Sequence, residues 1–129
     1  MRLLLDTHVL LWAVEEPGKL SASTKKILLN PENEVVFSAA SIWEIAIKAR
    51  RVRSDFTARP ERVAWAAREM GFHELLIDAE TASRVVDLPL HHRDPFDRLL
   101  VAQAMAGPMR LFTADKILLS YSELVTLVG

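Results

Sequence analysis

The sequence predicts a doubly wound α/β domain. Short, almost wholly apolar runs recur along the chain, amphipathic helical stretches separate them, and capping residues mark most of the helix ends. Strands that are apolar on both faces, alternating with helices, are the pattern of a parallel sheet covered on either side.

The strands are "RLLL" (2–5), "EVVF" (34–37), "ELLI" (74–77) and "RLF" (110–112), and "LVTLV" closes the chain as a fifth. Helical patterns fall at 7–16, 21–30, 39–51, 60–71, 79–87 and 95–106, with a further short one at 114–121. Ser21 precedes one helix, Pro60 sits at a first turn, and Asp94-Pro95 gives a cap followed by proline at the first helical position. Gly71 and Gly107 fall where helices should stop. No internal repeat, low-complexity tract or linker divides the chain, so residues 1–129 are expected to form a single domain.

Composition narrows the function classes. With no cysteine, a disulfide framework is impossible. Asp6 and His8 interrupt the apolar start, which therefore does not read as a signal peptide. No uninterrupted apolar stretch approaches the roughly 18 residues needed to cross a bilayer, so a cytoplasmic chain without membrane contact is expected. The formal net charge of -1 points to no partner. Local charge is more informative: Lys48, Arg50, Arg51, Arg53, Arg59, Arg62 and Arg68 face only three acids between residues 48 and 69. That excess suits a phosphate backbone, with Lys48, Arg50, Arg51 and Arg53 as candidate RNA contacts, and equally describes a solvated helix face.

The acids fall where strands end. Asp6 follows the first strand, Glu44 lies in the early turns of the helix after the second, Asp94 and Asp97 open the helix of "HRDPFDRLLVAQA", and Asp115 follows the fourth strand. Sites in open parallel sheets form at these carboxyl ends, near the point where strand order reverses. Each acid also has a structural reading. Asp6 and Asp94 could cap helices, Ser41 and Glu44 fit a capping box, and Asp115 could start a short final helix. Convergence is what capping does not explain. Several carboxylates in one pocket repel one another unless a cation joins them, and a hard divalent ion such as Mg²⁺ suits an all-oxygen set.

Four blocks, "LLLDTHVLLW", "FSAASIWEIAIK", "HRDPFDRLLVAQA" and "LFTADK", spread over residues 3–116, together resemble the PIN-domain family, specifically its VapC-type toxin ribonucleases. The resemblance implies a PIN-like three-layer sandwich with a five-stranded parallel sheet of order 3-2-1-4-5. It implies Asp6, Glu44 and Asp97 as the acidic core, catalytic and metal-holding, with Asp115 as a more variable fourth acid. It further implies Mg²⁺ or Mn²⁺ as cofactor, a structured RNA such as tRNA or ribosomal RNA as substrate, a VapB-type antitoxin as partner, and a homodimer. Histidine is not among the ligands it implies, so His91 and His92 read as loop residues. Thr7, Ser38 and Thr113, beside the acids, either orient carboxylates or cap helices. Arg98 would pair with an acid or meet a phosphate. Trp12, Trp43, Phe56 and Trp65 read as core or as an apolar interface.

Two other classes compete. A receiver-like phosphoacceptor domain would need paired acids after the first strand and an acceptor aspartate after the middle strand. A non-catalytic RNA-binding module would keep the acids for structure alone.

Overall fold

A computed structural model of the chain describes residues 1–49 and 58–129. Five strands, β1 (Arg2–Leu5), β2 (Glu34–Ser38), β3 (His73–Leu75), β4 (Arg110–Thr113) and β5 (Val125–Leu127), form one parallel sheet of order β3-β2-β1-β4-β5. The helices are α1 (Thr7–Glu15), α2 (Ala22–Leu29), α3 (Ala39–Lys48), α4 (Pro60–Glu69), α5 (Ala79–Ser83) and α6 (Pro95–Ala106).

The two-residue period of the strands sorts their side chains into two cores. Leu3, Leu5, Val35, Phe37 and Phe112 face one side and pack with Val9 and Leu10 of α1, Ile45 of α3, and Val63 and Ala67 of α4. Leu4, Val36 and Leu111 face the other and pack with Leu100, Val101 and Ala104 of α6. Leu3, Leu4 and Leu5 are all fully buried, which is why the central strand reads as an unbroken apolar run. Helix α3 straddles the sheet edge, giving Ile45 to one core and Ala40 to the other.

Helix ends follow local chemistry. Asp6 and Ser21 accept backbone N–H groups of α1 and α2, from Val9 and Thr24. Gly71 ends α4 at φ +88°, with Phe72 N–H donating to Ala67 O and Gly71 N–H to Arg68 O, so a left-handed residue closes the last turn. Gly107 also ends its helix, but with helical φ of -56°.

Three elements depart from the sequence expectation. Strand β3 stops at Leu75, and Leu76 and Ile77 lie outside it and largely exposed. At this sheet edge the Leu76 carbonyl takes its hydrogen bond from the Gln103 side chain instead (3.3 Å). The helix expected over 79–87 stays α-helical only to Ser83 and tightens to a 3₁₀ turn over Arg84–Asp87. Pro89 holds the preceding Leu88 in extended backbone and so ends the segment. Residues Lys116–Ser120 form a 3₁₀ turn, shorter than the helix expected there.

The receiver reading fails on topology. The middle strand is β1, which ends in the single Asp6, whereas Asp78, after edge strand β3, caps α5 through Thr81 N–H (2.7 Å).

Candidate metal centre

Register brings the first components together. Leu5 pairs with Phe37 on one side and Phe112 on the other, so Asp6, Ser38 and Thr113 stand one step further along three neighbouring strands. The chain runs outward from β1 through β2 to β3, then returns to place β4 on the other flank of β1. The order therefore reverses at the β1/β4 boundary, where a parallel sheet opens a crevice.

Asp6 is buried in that crevice and both its oxygens are engaged. Oδ1 accepts the Val9 N–H of α1 (2.8 Å), and Oδ2 accepts the Thr113 hydroxyl at the end of β4. The capping role and the site role coexist in one carboxylate. Burial pushes its pKa up, and the nearby Glu44 adds to this. The Thr113 and Val9 donors and His8 pull against that rise.

Glu44 is also buried, on α3. The capping box does not form: Ser38 is the cap, accepting the Ala40 N–H (3.0 Å), while Ser41 lies within the helix. Glu44 is thereby free of the backbone. Its Oε1 accepts the Thr7 hydroxyl (2.6 Å), and its Oε2 meets the Lys48 ammonium one turn on (2.5 Å). Lys48 lies 3.8 Å from Asp94 as well. The lysine expected on an RNA-facing basic stretch therefore turns into the acidic pocket. Arg50, Arg51, Arg53 and Phe56 lie outside the described residues.

Helix α6 delivers Asp97. Asp94 caps it, with Oδ1 accepting the N–H groups of Phe96 (2.8 Å) and Asp97 (3.2 Å), and Pro95 occupies the first helical position. Asp94 is thus a cap that also lines the pocket. The Asp97 carboxyl is pushed up to about 7, first by burial, then by the charges of Asp94, Asp6 and Glu44, with His92 pulling it back. Four carboxylates from three segments feel one another, so acids that are far apart in the sequence do converge.

Asp115 completes the rim, half-exposed. Its N–H donates to Thr113 Oγ1 (3.0 Å), so Thr113 couples β4's last turn to Asp6, and its Oδ1 caps the 3₁₀ turn at Ile117 (3.0 Å). Its Oδ2 lies 3.1 Å from His92 Nε2, and Asp97 Oδ2 lies 2.9 Å from the same nitrogen.

His92 corrects the loop reading. It does sit in the loop before α6, but its ring reaches between two of the acids. Two adjacent histidines before a capping aspartate carried no periodic signal; only the fold shows which one turns inward. Arg98, expected to pair with an acid or meet a phosphate, is turned to main-chain carbonyls. Its guanidinium donates to the carbonyls of Val85, Leu88, Pro89 and His92 and to the Tyr121 hydroxyl, between 2.9 and 3.4 Å. Ser38, expected beside the acids, donates to Gln103 Oε1 (2.5 Å) besides capping α3.

The resulting pocket, about 510 Å³, is lined by Asp6, Glu44, Asp94, Asp97 and Asp115, with Lys48, His92, His8 and Trp12 around them. Hard oxygens on several segments suit a divalent ion such as Mg²⁺ or Mn²⁺, and the raised carboxyls are the group that such an ion would relieve. The residues fit the cofactor expected from the sequence.

Trp43 and Trp65 are 58% and 63% exposed, so neither is core. Trp43 packs edge-on against Phe96 (5.2 Å between centroids) and borders a groove of about 450 Å³ between α3 and α4, lined also by Ile42, Ala46 and Ala64. Among the described residues, no helix is long and apolar enough to cross a membrane.

Comparison with known proteins agrees with this architecture. The PIN domain family model matches residues 3–124. Ribonuclease VapC22 of Mycobacterium tuberculosis (strain ATCC 25618 / H37Rv) is 31% identical over 123 residues, covering 92% of this chain and 90% of the relative. The crystal structure of VapBC2 from Rickettsia felis bound to a DNA fragment from their promoter superposes with a TM-score of 0.69 over the full length of both chains. At 14% identity it speaks to the fold. A family model spanning nearly the whole chain and a full-length relative lead to one conclusion: the chain belongs to the PIN-domain family, among its VapC-type members.

Proposed function

We propose that this chain is a divalent-metal-dependent endoribonuclease, the toxin of a toxin–antitoxin pair, acting on a structured RNA such as tRNA or ribosomal RNA. The observation that carries the reading is the meeting of Asp6, Glu44, Asp97 and Asp115 at the β1/β4 reversal, with the Asp97 carboxyl pushed up to about 7. The similarity to a ribonuclease supports it.

Asp6, Glu44, Asp97 and Asp115 would hold Mg²⁺ or Mn²⁺. Bound there, the ion would supply a water acidified to near neutrality and offset charge on the phosphate and the departing 3′ oxygen. The chain's own residues do the positioning. Thr113 holds one Asp6 oxygen and Val9 N–H the other, which fixes the carboxylate plane. Thr7 orients Glu44. Lys48 sits on Glu44 and beside Asp94, where it balances charge and can meet a phosphate oxygen at the pocket mouth. No side-chain nucleophile is required. The bond that breaks is that between phosphorus and the 3′ oxygen, leaving a 5′-phosphate and a 3′-hydroxyl.

The partner in this reading is a VapB-type antitoxin. The apolar groove beside Trp43 is the surface offered to it, and a basic side chain reaching the acids would block the pocket. A homodimer is part of the same proposal.

The test is RNA cleavage by the purified chain. Chelator should abolish it, Mg²⁺ or Mn²⁺ should restore it, and Asp6→Asn should lose it while unfolding cooperatively. Activity of Asp6→Asn within tenfold of the parent would remove Asp6 from the site. Metal binding without cleavage of any RNA would favour the non-catalytic module, and cleavage that persists in chelator would replace the metal with acid–base chemistry.

A further inference from the structure

We propose that His92 is a nitrogen ligand of the same ion, completing a mixed nitrogen–oxygen set with Asp97 and Asp115 that favours Mn²⁺ over Mg²⁺. The inference rests on the reading of the acids as a metal site and adds to it a ligand of a different element.

The geometry comes first. Ligands of an octahedral ion bound at about 2.1 Å stand about 3.0 Å apart along each edge. His92 Nε2 stands 2.9 Å from Asp97 Oδ2 and 3.1 Å from Asp115 Oδ2. One ligand atom from each of the three residues lies within 4.8 Å of the other two, so a single ion can face all three. An imidazole N–H pointed at one oxygen cannot also point straight at the other. A cation in front of the triangle takes a lone pair from each.

The second observation is how firmly the histidine is held. Its N–H donates to the Tyr121 hydroxyl (2.9 Å), and its carbonyl accepts from Arg98 and from Tyr121 (3.4 Å each). Arg98 also gathers the carbonyls of Val85, Leu88 and Pro89, the three residues that lead into this loop. One guanidinium thus ties the approach to His92 onto α6, the helix that carries Asp97. A free surface loop would need none of this, whereas a ligand must be held to within a few tenths of an ångström. The three residues also come from three separate segments, the loop, α6 and the turn after β4.

The chemistry gives the selectivity. Mg²⁺ binds oxygen and keeps its waters, whereas Mn²⁺, though also oxygen-seeking and the weakest binder of its row, tolerates an imidazole better than Mg²⁺ does. A nitrogen in the set therefore favours Mn²⁺ over Mg²⁺, and removing it should lower that preference about tenfold.

The test uses the full chain loaded with Mn²⁺ and read by pulsed electron paramagnetic resonance, independently of activity. The echo should carry ¹⁴N modulation from a directly bound imidazole, and growth on [¹⁵N]histidine should remove it without any substitution. His92→Gln should abolish the modulation and lower the Mn²⁺-over-Mg²⁺ preference in calorimetric titration. His8→Gln, which alters the other histidine lining the pocket, should keep both. Mn²⁺ bound by the acids with no ¹⁴N modulation, or modulation that survives His92→Gln, overturns the assignment and leaves the acid site standing. No Mn²⁺ binding, or equal binding by Asp97→Asn, overturns the assignment and the acid site together.

Discussion

Replacing Asp97 by Asn should stabilise the protein when metal is withheld. The folded chain holds the Asp97 carboxyl at about 7, against an ordinary value of 3.8. Between about pH 4 and pH 7 the folded state therefore keeps a proton that the unfolded state has lost, and stability falls as pH rises through that window. Above pH 7 the full difference corresponds to about 4 kcal/mol. Asp6, Glu44 and Asp94 share the repulsion, and the substitution also gives up the attraction to His92, so about half should be recovered, roughly 2 kcal/mol. For a domain of this size that raises Tm by roughly 6–10 °C at pH 8. The assay is calorimetric unfolding of both proteins in chelator from pH 4 to pH 8. The gain should shrink towards zero at the acid end, where the parent carboxyl is neutral in both states. Adding Mn²⁺ should reverse the ranking, because only the intact site gains binding energy, about 2.7 kcal/mol at a hundredfold excess over Kd. A gain independent of pH, or an Asn variant less stable at pH 8, would refute the crowded-carboxyl argument.

Other perturbations separate the supporting residues. Thr113→Val removes the hydroxyl donor to Asp6 and should weaken metal affinity about tenfold to a hundredfold in calorimetric titration; unchanged affinity would make Thr113 a mere cap for Asp115. Arg98→Ala strips a donor from four carbonyls and should cost about 1–3 kcal/mol in urea unfolding, with Arg98→Lys recovering only part because a lysine cannot span them. Replacing Arg50, Arg51 and Arg53 together should flatten the salt dependence of RNA binding by about 0.7 log units per log unit of salt for each lost phosphate contact; an unchanged slope would leave that stretch a solvated face.

Much of the fold was legible because periodicity and punctuation agreed. Leu3, Leu4 and Leu5 declare a strand buried on both faces, and Asp94-Pro95 declares a helix start that the structure places at the same residues. Edges were less legible. Leu76 and Ile77 look like strand, but an edge position offers fewer ladder partners, and Gln103 captures the freed carbonyl. The acids could be picked out in the sequence because Asp6 and Asp115 follow strands, while Glu44 and Asp97 lie in the opening turns of well-marked helices. Their supporting cast could not. Ser38 displaced Ser41 as the cap of α3, which released Glu44 to face Asp6, and local spacing does not choose between those two serines. The partners of His92, Lys48 and Arg98 were not legible for a common reason. A long polar side chain can reach several ångströms in any direction, and its target is set by contacts between segments far apart in sequence. Tyr121, 29 residues from His92, is one such contact.

At the centre stands hydrolysis at the phosphorus–3′ oxygen bond, with Asp6, Glu44, Asp97 and Asp115 as the residues that would hold the ion supplying the attacking water. The ends of the RNA products test it most directly. Cleaved RNA from a reaction with Mn²⁺ can be treated with a 5′-phosphate-dependent exonuclease and, separately, with ligase. The account predicts fragments that the exonuclease digests and that ligate through a 3′-hydroxyl, with no product when chelator is present. Fragments carrying a 2′,3′-cyclic phosphate and a 5′-hydroxyl, formed in chelator, would mean that the RNA's own 2′-hydroxyl is the nucleophile. That route needs an acid and a base rather than a metal, and it would reassign the histidines of this pocket to proton transfer and the acids to structure.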